Sequence, residues 1–358
     1  MRLVFYELFK ILFTRKGLLL IAVFILAKFL LLSFIQEELD TRIVISRYQY
    51  DYYLNILHGK TSLEKERFII DENEMHINII SMFEEMQDKY VNDELESREW
   101  TDFIITYEES LIKQSALSIF LEKAEQFAKL RDIDSQADIE PYFFYEYGWK
   151  TVFNYFSYPD FILILPLIII SSAVFNSDLE HGITPILRSA KNGRGVLFIT
   201  KVAAFVVIAA FLSIISGVLE IIIFNSRFAL PETGVPIFSV ATFAKTPIRI
   251  SVLQGQIIIM LMRFVGAVLF GLQCIAFSIM LRNMVLSMFA SAMYFLLPIL
   301  LGSLLPIAGY LFLGLLTGVD ILYQYSFIIT PLYWLIPVSF YFLLSCISLF
   351  LAYRSYCR

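Results

Sequence analysis

Residues 17–36 read Gly17-Leu18-Leu19-Leu20-Ile21-Ala22-Val23-Phe24-Ile25-Leu26-Ala27-Lys28-Phe29-Leu30-Leu31-Leu32-Ser33-Phe34-Ile35-Gln36. One lysine interrupts a run that is otherwise apolar almost to its end. As a helix it is long enough to cross the roughly 30 Å hydrocarbon core of a bilayer. No small-residue cleavage site follows it (Ser33-Phe34-Ile35-Gln36-Glu37), so it reads as an anchor that stays in the membrane.

Five further runs qualify as spans: 160–177, 202–224, 253–280, 284–306 and 331–353. The first of these is short and is extended by the aromatic residues before it. Ile307 to Val319 is too short and Gly-rich for another span and reads as a re-entrant or interfacial helix pair. Irregular backbone at that depth is tolerated only where protein or a water-filled cavity covers it. Composition agrees, since 58% of the chain is apolar and only 17% charged, too little polar surface for a water-soluble particle. The expected fold is therefore an all-α polytopic membrane protein with six spans.

Net charge is −5, unevenly spread. Residues 37–157 hold 26 of the 33 acidic side chains and 12 of the 28 basic ones, leaving 7 acids against 16 bases elsewhere. An acidic, water-exposed insert thus interrupts a basic-flanked membrane body at 158–358. No basic stripe lies on a soluble domain, so nucleic acid is not an expected partner. Cys274, Cys346 and Cys357 all lie outside the insert, which can hold no disulfide.

Basic residues near span ends set orientation. Arg2, Lys10, Arg15 and Lys16 precede the first span, and Arg188, Lys191, Arg194 and Lys201 follow the second. Arg282 follows the fourth, and Arg354 and Arg358 follow the sixth. With six spans all four groups share one side, the cytoplasm, and both termini lie inside. Arg227, Lys245 and Arg249 fall on the other side, against the rule. The insert is then extracytoplasmic.

Its helical pattern is carried by Ile45, Tyr48, Tyr52 and Ile56, then by Met75, Ile79, Met82, Phe83, Met86 and Tyr90. A third stripe is Leu117, Phe120, Leu121, Ala124 and Ala128. Breakers fall at His58-Gly59 and Asn92-Asp93, giving three or four helices. Residues 140–161 contain 11 aromatics among 22 positions, which an interfacial belt explains. A substrate-facing vestibule is the alternative. Residues 1–16 read as an amphipathic interfacial helix, with Leu3, Val4, Leu8, Ile11 and Leu12 on one face and Glu7, Lys10 and Thr14 away from it.

The loop after the second span, 178–200, begins Asp178-Leu179-Glu180-His181-Gly182-Ile183-Thr184-Pro185-Ile186-Leu187-Arg188. Two acids stand where a membrane helix emerges, Gly182 permits a bend, and Pro185 suits the first turn of a short helix running to about Ala190. The acid, the Gly two residues later, the apolar residues and the downstream Arg and Lys resemble the first coupling loop of type-2 ABC permeases. Six spans, an amino-terminal connecting helix and re-entrant helices before the last span are similar to that family's layout. That family often has a Pro before the Arg; Lys191-Asn192-Gly193 stands here instead.

The resemblance implies a homo- or heterodimer of permease subunits resting on two cytosolic subunits that bind ATP and Mg. It implies coupling to those subunits through Glu180, Gly182, Thr184, Arg188 and Arg194. The solute it implies is amphipathic: a peptide such as a bacteriocin, a lipid-linked molecule or a drug. No phosphate-binding loop occurs in this chain, because Gly59-Lys60-Thr61 lacks the upstream Gly, with Leu54 in its place. ATP hydrolysis is expected in a partner chain.

Ionisable residues inside spans are functional suspects, because hydrocarbon penalises charge. Lys28, Glu220 and Arg263 qualify, all in the outer half of their spans. They suit the polar lining of a translocation path, or a structural ion pair with snorkelling. Two bases against one acid leave room for an anionic ligand. His58, His76 and His181 lack ligand spacing, so no metal is expected. A non-transporting device that passes mechanical work to the insert, for signalling or immunity, is the second function class. An intramembrane enzyme is a third, and three polar groups are few for it.

Overall fold

The computed structural model describes residues 2–14, 17–133, 140–180, 193–244, 250–302, 315–317 and 335–357. The chain is a mostly helical, multi-pass membrane protein. Five described helical runs are long and apolar enough to cross a bilayer: Gly17–Phe34, Tyr147–Asp178, Arg194–Arg227, Val252–Leu281 and Leu335–Tyr356. Met284–Leu300 is a shorter apolar helix. Contacts divide the chain into two compact units.

The first unit comprises Met1–Ile35, Val152–Phe228 and Gln254–Arg358. Its helices are α1 (Arg2–Phe9), α2 (Gly17–Phe34), α8 (Phe161–Glu180), α9 (Gly193–Arg227), α10 (Val252–Leu281), α11 (Met284–Gly302) and α12 (Leu335–Cys357). Their directions alternate. Lys10 reaches Asp178 at the end of α8, and Phe198 near the start of α9 packs on Tyr353 and Tyr356 near the end of α12. At the opposite end Arg227 donates to the carbonyls of Leu32 and Ser33, satisfying the open C-terminus of α2. Arg227 therefore has a capping task, which accounts for a basic residue on that side.

Small polar groups lock the spans where lipid offers no hydrogen bonds. Asn176 donates to Ser278 at 3.2 Å and to Ser287 at 3.4 Å, joining α8, α10 and α11. Gln273 donates to Ser345 at 3.0 Å, joining α10 and α12. Gly266 on α10 lies against the Leu315 carbonyl, where a Cβ would collide. Leu315–Thr317 is helical and buried; the rest of the 307–319 segment read as re-entrant lies outside the described residues.

The amino-terminal segment departs from its sequence pattern. Val4, Leu8, Ile11 and Leu12 do pack on the core. Leu3, however, is exposed and Glu7 buried, while Phe5, Phe9 and Phe13 are exposed. Val4, Glu7, Leu8 and Ile11 fall at i, i+3, i+4 and i+7, so Glu7 shares the packed face and Leu3 does not, and a π-helical turn over Lys10–Thr14 follows.

The second unit comprises Gln36–Thr151 and Ala229–Leu253. The latter stretch belongs to the membrane body on sequence grounds, yet it packs with the insert. Helices α3 (Thr41–Leu57), α4 (Leu63–Ser81), α5 (Phe83–Val91) and α6 (Ser97–Ile133) follow the expected breakers. A short ladder pairs β1 (Gly59–Lys60) with β2 (Tyr142–Phe143), with Gly59 at φ +105°, a conformation a side chain would resist. Lys65 closes the end of α3 by donating to the carbonyls of Leu57, His58 and Lys60.

The core of this unit is Ile43, Tyr50, Tyr53 and Leu57 against Ile69, Leu117, Phe120 and Phe127. The expected α3 stripe of Ile45, Tyr48, Tyr52 and Ile56 is exposed instead. Ser46 has non-helical angles and kinks α3, so the buried stripe changes phase across it. The aromatic belt is likewise corrected. Phe143, Phe144, Tyr147 and Trp149 on this unit are buried, with the Trp149 indole donating to Pro231 O at 2.9 Å; Phe153 and Phe156 on the first unit are buried too. Tyr158 and Phe161 stay exposed. The residues buried on the second unit come from a region, 140–151, that links α6 to α7 (Tyr147–Phe156).

Candidate functional site

Two buried charge clusters mark the first unit. Lys28, fully enclosed at 0% exposure, donates to Asp160 Oδ2 at 2.5 Å, Glu220 Oε1 at 2.6 Å and the Tyr155 hydroxyl at 2.6 Å. Arg263 Nη1 donates to both oxygens of Glu220 at 3.2 Å, and its Nη2 stands 3.8 Å from Asp160. Ser216 donates to Asp160 Oδ2 at 2.7 Å, and Tyr155 OH to Glu220 at 3.0 Å. The rings of Tyr155 and Phe156 lie 5.6 and 5.0 Å from the Arg263 guanidinium, a favourable placing for a desolvated cation.

Helix geometry assembles this set. Lys28 is six residues from the end of α2 and Glu220 seven from the end of α9, so both lie about 9–11 Å inside. Asp160 begins α8, where its Oδ1 accepts from the Leu163 N–H at 3.1 Å as an N-cap does. Four helices thus meet on two acids and two bases. Lone charges here would be very costly, whereas paired and hydrogen-bonded ones are tolerated.

The structure brings together Lys28, Glu220 and Arg263, the three charges singled out from sequence, and adds Asp160. That addition corrects the expected charge surplus: the set is balanced, and the space reserved for an anionic ligand is taken by a carboxylate of the chain itself. Asp160 escapes a sequence reading because a carboxylate at a helix start has a sufficient local role. The signal that finds it is the imbalance itself, since two buried bases and one acid call for a fourth group.

The second cluster sits at the other end of the same helices. Asp178 Oδ1 accepts from Lys10 at 2.6 Å, while Oδ2 accepts from Lys201, which is 1% exposed and also donates to Val174 O at 2.9 Å. Lys201 lies 5.1 Å from the ring of Phe175. Helix α9 begins at Gly193, and Lys201 lies two turns inside it. One carboxylate therefore ties the segment after α1, the last turns of α8 and the early turns of α9.

Glu180 ends α8 and Arg194 stands exposed in the first turn of α9. Gly182, Thr184 and Arg188, with the short helix expected near them, lie outside the described residues. In sequence, Asp178 and Lys201 stand on either side of residues 181–192. Compared with protein-family models, curated proteins and solved structures, the chain matches none of them.

Proposed function

We propose that this chain is the membrane-spanning subunit of an ATP-driven exporter of the type-2 ABC permease kind, working as a homo- or heterodimer on separate cytosolic ATP-binding subunits. The observation that carries the reading is the Asp178 cluster. It links three elements at the mouth of the loop that resembles a coupling loop. A push on residues 181–192 would reach α8 and α9 through one shared carboxylate and carry the amino-terminal helix with them. ATP and Mg belong to the partner subunits, and Glu180, Gly182, Thr184, Arg188 and Arg194 form the contact with them.

Six crossings, with both termini in the cytoplasm of a bacterial cell, fit the alternating helix directions. The insert and the 229–253 segment follow the first and third spans, and their packing as one unit supports their sharing a side. That side is outside under the positive-inside rule. The solute we assign is amphipathic, a peptide, lipid-linked molecule or drug.

A second reading is favoured by the closed state of the Lys28 cluster. Its charges answer one another, which suits a load-bearing joint as well as a shut gate. In that reading the subunit passes mechanical work to the outer unit without moving solute.

Affinity capture of the chain from its native membrane in mild detergent tests the assignment. Recovery of an ATP-binding protein, lost with Glu180→Ala and Arg188→Ala, is the expected result; capture of the chain alone removes the ABC reading. Stimulation of ATP turnover by a solute then separates export from mechanical work.

A further inference from the structure

From Ile77 to Glu109 no side chain is buried. This stretch joins the last turn of α4, all of α5 and the first turns of α6, and it is the turn end of a helical hairpin. It is nevertheless rich in aromatics. Phe83 lies 4.5 Å from Tyr107 and Tyr90 stacks on Trp100 at 5.0 Å, ring centre to ring centre. Phe103 bridges Trp100 and Tyr107 at 6.0 and 6.3 Å. These five rings form a partly exposed ladder along the hairpin, and none of them is buried by a third element among the described residues. Nearer its base, the same hairpin buries Ile69, Leu117 and Phe120 against α3.

The surroundings carry one sign of charge. Residues 77–109 hold ten carboxylates against two cations, Lys89 and Arg98. Glu84 and Asp88 stand four residues apart on α5, a like-charge spacing that costs a few tenths of a kcal/mol in a bare helix. Lys89 pairs with Glu85 and Lys113 with Glu109, and the carboxylates remain in excess. An aromatic ladder ringed by excess negative charge is complementary to a partner with an apolar stripe and positive flanks.

We propose that this face binds a cationic amphipathic helix, which lays its apolar stripe on the aromatic ladder and sets its Lys and Arg among the carboxylates. The hairpin then gains the third layer its base already has. A second copy of this chain fits worse, since it brings the same excess of eight negative charges. A bilayer surface fits worse too, because anionic headgroups repel this patch. The inference deepens the exporter reading by naming a cationic peptide as what the outer unit meets, and it rests on that reading for the side on which they meet. Binding itself needs no ATPase.

The test uses the full chain in nanodiscs of zwitterionic lipid and two synthetic helical peptides. Both carry Leu at i, i+3, i+4 and i+7, with Lys at every other position in one and Glu in the other. Titration calorimetry is expected to show binding of the Lys peptide alone, weakening as salt rises. Trp100→Ala and, separately, the combined Glu94→Gln, Glu96→Gln and Glu99→Gln are each expected to lower affinity by roughly tenfold or more. The Gln variant changes only exposed groups, so it reports on charge even if Trp100→Ala loosens the hairpin. Equal binding of both peptides, uptake by empty nanodiscs, or full affinity in the Gln variant overturns the proposal. So does sedimentation showing self-association through the ladder. Failure here leaves capture of an ATPase untouched, while failure of that capture with peptide binding intact removes only the exporter context.

Discussion

The two charge clusters of the helical unit follow different plans. At Lys28 two bases meet two acids from four helices, and the described groups sum to zero. At Asp178 one carboxylate serves two lysines from two different elements. The first arrangement has every buried charge answered, so any movement of one helix must break an ion pair in a medium that cannot replace it. The second lets two elements share one anchor, and Lys10, with a side chain 22% exposed, can exchange that anchor for water. Helices are pinned at one end of the unit and linked more loosely at the other.

The largest effect expected is therefore at Lys28. Lys28→Met leaves Asp160 and Glu220 with one cation between them, and breaking a buried pair in this way costs about 3–5 kcal/mol. The expected outcome is little folded protein and a collapsed thermal midpoint in detergent. Adding Glu220→Gln restores the balance and should recover much of the loss. If the single variant is nearly as stable as the wild type, the closed set is not what pins the helices.

Asp178→Asn comes next. Lys201 stays buried and loses its carboxylate, keeping the Val174 carbonyl and meeting a neutral amide, a loss of about 1–3 kcal/mol. Lys10→Ala, at the wetter side of the same carboxylate, should cost about 1 kcal/mol or less. A ratio reversed between these two variants, read from midpoints under one set of conditions, would mean that the amino-terminal segment carries the joint.

Legibility from sequence divides along the same physical line. Long apolar runs announce spans because length and hydropathy are local properties, and Lys28, Glu220 and Arg263 announce themselves because a bilayer does not hold lone charges. Asp160 stays hidden because the Leu163 N–H gives it a local purpose. In α3, two stripes of equal quality compete. Only the partners on α6 and the kink at Ser46 decide that Tyr50 and Tyr53 go inside while Tyr48 and Tyr52 stay out. The joining of 229–253 to the insert depends on contacts such as Trp149 with Pro231, 82 residues apart, which no periodicity encodes.

A third ion cluster supplies the solvated control. Asp40, Arg42 and Glu122 on the second unit pair at 2.8 Å, as closely as the buried sets, and Arg42 holds both carboxyls below their usual range through its hydrogen bonds. Glu122 is 59% exposed. Water then competes for every bond, so Glu122→Gln should shift stability by less than about 1 kcal/mol. A loss as large as that of Lys28→Met would show that contact geometry rather than burial sets the value of these clusters.

His76 tests the converse, a buried group that holds no charge. It is 3% exposed, its Nδ1 lies 3.2 Å from Ser110 Oγ, and its Nε2 stands 3.6 Å from Glu72, outside hydrogen-bond reach. Burial pushes its pKa below the ordinary 6.5, and Lys113 adds to that, while Glu72 pulls the other way. Above that ordinary value both folded and unfolded chains carry neutral imidazole, and His76 adds no pH dependence. Below it the unfolded chain takes a proton that the folded chain refuses, so stability falls as pH falls, by at most about 1.4 kcal/mol per pH unit, until the lowered folded pKa is reached. His76→Gln keeps a hydrogen-bonding side chain and removes the titration. Between about pH 7.5 and pH 5.5 the thermal midpoint should drop further in the wild type than in this variant, the difference cancelling every other titrating group. Equal drops would mean that Glu72 closes on the protonated ring and pairs with it, adding a buried charge pair to the one the second unit already holds between Lys123 and Glu146 at 3.1 Å.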